Sequence, residues 1–154
     1  MRRVVITGMG IVSSIGNNTQ EVLSSLHEAK SGITHASKYK ELGFRSQVQG
    51  APTLNPSDVI DRRAMRFLAE GAAWNHVAME QSIQDSGLEP SEVSNIRTGI
   101  IMGSGGPSTQ TIVEAADITR TKGPKRVGPF AVPKSMSSMA SASLATWFKI
   151  KGVK

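Results

Sequence analysis

The chain has 154 residues, of which 38% are hydrophobic and 19% charged, with no cysteine and a formal net charge of +6. This is enough apolar material for one core, which excludes a disordered chain, and no run of about 18 apolar residues is present to span a membrane. Without cysteine there is no disulfide, thiolate metal site or cysteine nucleophile within these residues, and the basic surplus attracts anions without choosing among nucleic acid, phosphate groups and acidic proteins.

The amino terminus, Met1-Arg2-Arg3-Val4-Val5-Ile6-Thr7-Gly8, begins like a short signal peptide. Gly8 and Gly10 interrupt its apolar run and no small-residue cleavage site follows, so the chain reads as cytoplasmic. Val4, Val5, Ile6, Ile11 and Val12 predict a buried strand over residues 3–13, with Gly8 and Gly10 permitting close backbone approach. After a loop at Ile15-Gly16-Asn17-Asn18, Asn18 can cap a helix, with Glu21 three residues on for a capping-box-like start. Val22, Leu23 and Leu26 form its apolar stripe, and Ser31-Gly32 predicts its end. Residues 33–60, interrupted by Pro52 and Pro56, predict irregular chain with one short strand near residues 45–49.

Ala64, Leu68, Ala72, Met79 and Ile83 recur at helical spacing and predict one long helix over residues 61–85, ended by Gly87. A turn follows at Leu88-Glu89-Pro90. Thr98 to Met102 predicts a second buried strand running into Gly103-Ser104-Gly105-Gly106-Pro107. A helix is expected over residues 108–119, then a basic loop Lys122-Gly123-Pro124-Lys125-Arg126 and an extended connector over residues 128–133. Residues 135–149 predict a Ser- and Ala-rich helix, buried on most sides and closed by Gly152. Two strands separated by helices give an α/β class with a parallel sheet, and two strands are too few to make such a sheet stable, so further strands belong to the fold.

Thr7-Gly8-Met9-Gly10 follows a strand, but position 13 is serine and no helix opens there, so close packing explains the glycines better than dinucleotide binding. Gly103-Ser104-Gly105-Gly106 sits at the carboxyl end of a strand, where α/β sheets place ligands; it lacks the Lys-Ser/Thr of a nucleotide P-loop. A tight turn and a pocket wall of bare backbone both fit it. Arg62, Arg63 and Arg66 stand at the start of a predicted helix, against its dipole. A solvated face and a surface for an anionic partner both fit them, and both fit Lys122, Lys125 and Arg126. No aromatic residue interleaves with these clusters, which disfavours a base-stacking nucleic-acid binder. Phe67, Trp74, Trp147 and Phe148 read as core. His27, His35 and His76 stand alone, without metal-ligand spacing.

Taken in order, Val5-Ile6-Thr7-Gly8-Met9-Gly10-Ile11-Val12-Ser13, Lys30-Ser31-Gly32-Ile33, Asp61-Arg62, Gly103-Ser104-Gly105-Gly106, Val127-Gly128-Pro129-Phe130 and Ala140 through Gly152 resemble successive landmarks of the β-ketoacyl-acyl-carrier-protein synthases. The likeness covers essentially the whole chain and is greatest to the type I elongating members. It implies part of the first half of a thiolase-like, five-layer α/β fold, with an incomplete sheet and a homodimer in the full-length family. The chemistry it implies is decarboxylative Claisen condensation of acyl and malonyl thioesters in fatty acid biosynthesis, with no cofactor or metal. The family's cysteine and two histidines have no counterpart in residues 1–154, so this chain alone is expected to be inactive. By resemblance, Gly105 and Gly106 line the acyl pocket, and Phe130 and Met136 reach across the dimer to the neighbouring subunit's acyl pocket. Arg62, Arg63, Arg66, Lys122 and Lys125 meet the acidic acyl carrier protein, where exposed charges mainly steer encounter. A non-catalytic carrier-protein-binding module is the alternative. It requires a self-sufficient fold, and unpaired strand edges argue against one.

Overall fold

A computed structural model describes residues 3–154; Met1 and Arg2, the start of the stretch weighed as a signal peptide, lie outside the described residues. The chain divides into two units, residues 1–55 with 77–86 and residues 56–76 with 87–154.

In the first unit, helix α1 (Thr19–His27) starts as its sequence dictates. The Asn18 side chain accepts from Glu21 N at 2.9 Å, and the Glu21 carboxylate turns back to accept from Asn17 N at 2.8 Å and Asn18 Nδ2 at 2.9 Å. Two orphan donors at the helix start are thereby satisfied. Asn18→Ala is expected to cost about 1 kcal/mol, read as a lower denaturation midpoint at unchanged slope. The helix ends earlier than Ser31-Gly32 because Ala29 takes the left-handed conformation (φ 51°), with Ala29 N donating to Leu26 O and Lys30 N to Ser25 O. Residues 33–60 are more ordered than expected. Strand β1 (Ile33–His35) pairs antiparallel with β2 (Val48–Gly50), Thr34 opposite Gln49, and helix α2 (Ser37–Glu41) lies between them in sequence.

The strand expected over residues 3–13 is absent. The segment is extended chain with only an isolated bridge between Ser13 and Gly16, and Val4, Val5 and Ile6 are exposed. A strand is defined by ladder partners, and none of the described residues supplies one. Helix α4 (Glu70–Ser86) supplies side chains instead: Met9 N donates to Asp85 Oδ2 at 2.9 Å and Ile11 N to Gln81 Oε1 at 3.0 Å. Gln81 Nε2 donates to Asn17 O at 2.7 Å, and Ser82 Oγ to Gly8 O at 3.2 Å. A Cβ on Gly8 or Gly10 would strike the carbonyls of Ser82 or Ala78, so the glycines allow close packing on the helix.

In the second unit, the expected long helix is broken into α3 (Arg62–Met65) and α4, whose residues up to His76 belong here. Phe67 N bonds to Ala64 O and Leu68 N to Met65 O, tightening the last turn of α3 to three residues, and Glu70 restarts the helix with an acid suited to its amino terminus. Gly87 (φ 67°) follows the end of α4 as expected. A capping box between Glu89 and Glu92 opens α5 (Pro90–Val93), and Ser108 caps α6 (Thr109–Lys122). The connector over residues 128–133 is not fully extended, since α7 (Ala131–Ser135) begins inside it, and the last helix is shorter than expected, α8 (Met139–Trp147).

Met139, Ala140, Leu144 and Ala145 of α8 are buried, and the core also includes Ile60, Ala64, Leu68, Ala73, Val93, Ile100 and Ile150. Burial is confined to one face of α8, because Ala142, Thr146 and Trp147 remain exposed. Lys149 (φ 54°), not Gly152, turns the chain out of this helix. The second expected strand is not formed either. Residues 98–100 and 152–153 share two backbone bonds, Gly152 N to Thr98 O at 3.0 Å and Ile100 N to Val153 O at 2.8 Å, out of regular register. Gly152 is glycine because a Cβ there would press on the carbonyls of Thr98 and Ile96. The aromatic side chains depart from their core reading: Phe67 and Trp147 are exposed, and Trp74 and Phe148 half-buried.

Candidate functional site

All nine residues assigned by resemblance lie in the second unit. Gly103, Ser104 and Gly106 line a cleft of about 400 Å³, and Met136 lines it from another part of the chain. The starts of α4, α6 and α8 reach the same cleft through Glu70, Thr109 and Met139. Helix amino termini direct backbone N–H groups and partial positive charge outward, so the cleft combines bare backbone, donors and one flexible apolar side chain. Ser104 Oγ donates to Gly106 O at 2.7 Å and stiffens the loop. A Cβ on Gly103, Gly105 or Gly106 would meet nothing within 4 Å, so packing does not require glycine there. Gly105 is in the loop but does not line the cleft.

Phe130 is elsewhere. Its half-buried ring meets Phe67 edge-on at 5.2 Å and 87°. The structure therefore brings Gly106 and Met136 to one cleft and leaves Phe130 outside it.

Arg62, Arg63 and Arg66 are exposed, and so are Lys122 and Lys125. Asp61 caps α3 by accepting from Arg63 N at 2.7 Å. Because α3 ends at Met65, Arg66 stands at its carboxyl end and not within the first turn of a long helix, so the expected dipole penalty does not apply to it. Lys122 ends α6, and Lys125 sits in the single turn Pro124–Arg126 behind it. The Phe67–Phe130 contact joins the residue after Arg66 to Phe130, four positions after Arg126.

A second concavity of about 630 Å³ includes Arg63, Phe67, Leu68, Thr146, Trp147 and Lys149. Its floor contains His76, which is 1% exposed and packed between the rings of Trp147 (5.7 Å) and Phe148 (5.1 Å). Sequence reasoning missed this groove. The available signal was two aromatic residues bordered by arginine and lysine, read there as core. His27 and His35 are exposed, and among the described residues no cluster of three or more His, Cys, Asp or Glu can hold a metal ion.

The profile of the family described as "Beta-ketoacyl synthase, N-terminal domain" matches residues 1–154. The chain is 49% identical over 154 residues to 3-oxoacyl-[acyl-carrier-protein] synthase 1 of Haemophilus influenzae, and 50% identical over 155 residues to the same enzyme of Escherichia coli K12. Each match covers 99% of this chain and 38% of the relative, so the chain spans well under half the length of these proteins. Among solved structures, a β-ketoacyl synthase from Burkholderia phymatum superposes with a TM-score of 0.83 at 21% identity, over 99% of this chain and 38% of that one. AntDE:AntF, a type II polyketide acyl-carrier protein in complex with its ketosynthase, gives 0.76 at 20% identity, over 100% of this chain and 41% of that one. At these identities the structural likeness establishes fold: a partial α/β unit of the thiolase-like ketosynthases.

Proposed function

This chain belongs to the β-ketoacyl synthase family, and from that premise we propose that it is the amino-terminal part of a 3-oxoacyl-[acyl-carrier-protein] synthase 1 of fatty acid biosynthesis. The observation that carries this reading is identity near one half, sustained along 99% of the chain, to synthase 1 of two bacteria. The enzyme is an acyltransferase that joins acyl and malonyl groups by decarboxylative condensation, and it works as a cytoplasmic homodimer. Among the described residues no helix is long and apolar enough to cross a membrane.

These residues divide the work in a way their chemistry supports. Arg62, Arg63, Arg66, Lys122 and Lys125 are exposed cations suited to steering an acidic carrier protein. Gly106 is acyl-pocket wall with Gly105 beside it in the loop, and Phe130 and Met136 serve the neighbouring subunit's acyl pocket in the dimer. The pocket's remaining lining, the sulfur nucleophile and the histidines that help malonyl decarboxylate are supplied by residues beyond these 154. Thioester exchange needs a good nucleophile that is also a competent leaving group, and a chain without cysteine offers none.

The 154-residue polypeptide, incubated with acyl- and malonyl-carrier protein, is therefore expected to give no 3-oxoacyl product by mass spectrometry while still binding the carrier protein. Product formation by this polypeptide would overturn the division of labour, and failure to bind would overturn the docking assignment. A non-catalytic carrier-binding module shares the binding outcome and differs on joining to the remainder of a relative, where it would stay inactive.

A further inference from the structure

Of the residues lining the groove of Phe67, Leu68, Thr146 and Trp147, Arg63 alone enters the reading above, as a docking cation, and the groove shares no lining residue with the Gly106–Met136 cleft. Its volume, about 630 Å³, falls in the range of small-molecule sites. The aromatic walls are accessible in this chain: Phe67 is 47% and Trp147 40% exposed. Arg63 and Lys149 are the charged residues lining the groove; both are exposed and cationic, and no carboxylate lines it. Lys149 is set at the rim by its left-handed backbone (φ 54°), which turns the chain sharply at the end of α8. Buried His76 backs Trp147, so the wall is braced from behind.

An apolar trough with cations and no anion at its edge is complementary to a molecule with a hydrocarbon body and a negative head. We propose that this groove is a binding site for a single-chain alkyl carboxylate of medium length, its tail along Phe67, Leu68 and Trp147 and its carboxylate against Arg63 and Lys149. A neutral alkyl chain would gain the apolar contact and lose the charge-assisted hydrogen bonds. A cationic amphiphile of the same length would meet like charge. The proposal does not depend on the condensation reading, since it requires only the residues of this groove.

The test is photolabelling of the intact 154-residue chain, held in the cold below the onset of its thermal melt, with a twelve-carbon diazirine carboxylate. Labelled residues are located by trypsin digestion and fragmentation. Label is expected on Phe67, Thr146 or Trp147, competed by dodecanoate and not by dodecyltrimethylammonium. Arg63→Glu with Lys149→Glu is expected to reduce labelling about tenfold or more, from two lost attractions replaced by repulsion. Ala142→Trp fills the groove at an exposed position while keeping both cations, and is expected to abolish labelling. Label scattered over the surface, equal competition by the cationic amphiphile, or labelling unchanged in both variants would overturn the proposal. So would a dimer, seen by sedimentation, that Ala142→Trp dissolves, because a second copy would then fill the groove. Loss of condensation in a longer enzyme would not bear on this outcome, which keeps the two readings separable.

Discussion

Arg62→Glu together with Arg66→Glu is expected to weaken binding of acyl carrier protein about a hundredfold at an ionic strength near 0.01 M, where the Debye length is about 30 Å, and far less at 1 M, where it is about 3 Å. Both side chains are exposed, and three residues separate them. Exposed ion pairs contribute only about 0.2–1 kcal/mol each, so two reversals, each replacing attraction by repulsion, are needed for an effect of this size. Most of the change should fall on the association rate, as rim charges act on encounter. The control is Lys38→Glu with Lys40→Glu, an equal change in net charge on exposed α2, far in sequence from the basic segments. If the control weakens binding as much as the test pair, net charge is responsible and the docking assignment fails. Thermal melting should not separate either variant from the parent by much, since neither pair contributes to the buried core.

Gly10→Ala is expected to be the most destabilising of the conservative glycine substitutions, by about 3 kcal/mol or more. A Cβ there would run into the carbonyl of Ala78 and lie 2.9 Å from Gln81 Cβ. Both are parts of α4 that cannot move without disturbing the Gln81 bridge, which holds Ile11 N at 3.0 Å and Asn17 O at 2.7 Å. Gly105→Ala makes the comparison, because its added methyl would meet nothing within 4 Å. Urea unfolding of the two variants should show a large loss of midpoint for Gly10→Ala and almost none for Gly105→Ala. Equal losses would mean that glycine flexibility, and not close packing, is what Gly10 supplies.

The legible parts of the sequence were those fixed by local chemistry. Asn18 with Glu21 before α1 and Gly87 after α4 are end signals written within four residues of the structure they set, and both agree with the structure. Gly8 and Gly10 were legible as close-packing positions from the glycines themselves, although the helix they pack on, at Ala78 and Ser82, lies about seventy positions away in sequence. Strands were not, because Val4-Val5-Ile6 and Thr98–Met102 carry β-forming residues whose ladder partners are absent among the described residues. Ile101, 99% exposed, shows the consequence: a residue suited to a sheet interior faces outward when no neighbouring strand is present. Periodicity misled at residues 66–69, where apolar spacing continues through a break that the tight turn at Phe67 and Leu68 imposes. Phe67 and Trp147 were misread because aromatic residues usually pay for their size by burial, and composition cannot say which ones border a groove.

At the site, family likeness and local chemistry gave different things. Gly106 and Met136 are separated by thirty positions in sequence, and only the fold shows that they line one cleft. Resemblance assigns Phe130 to a neighbouring subunit's pocket; within this chain its ring meets Phe67. The basic segments were legible as clusters, whereas the ring contact between Phe67 and Phe130 is one that no spacing rule gives.

The most direct measurement replaces the matched 155-residue stretch of the Escherichia coli synthase 1 with this chain and follows 3-oxoacyl product from acyl- and malonyl-carrier protein. The rate is expected to be no less than about a tenth of the parent enzyme's, a barrier change of at most about 1.4 kcal/mol, since the transplanted residues supply docking surface and pocket wall while the nucleophile stays in the recipient. A soluble, cooperatively folded chimera that binds carrier protein and forms no carbon–carbon bond would contradict the assignment of this chain to a condensing enzyme.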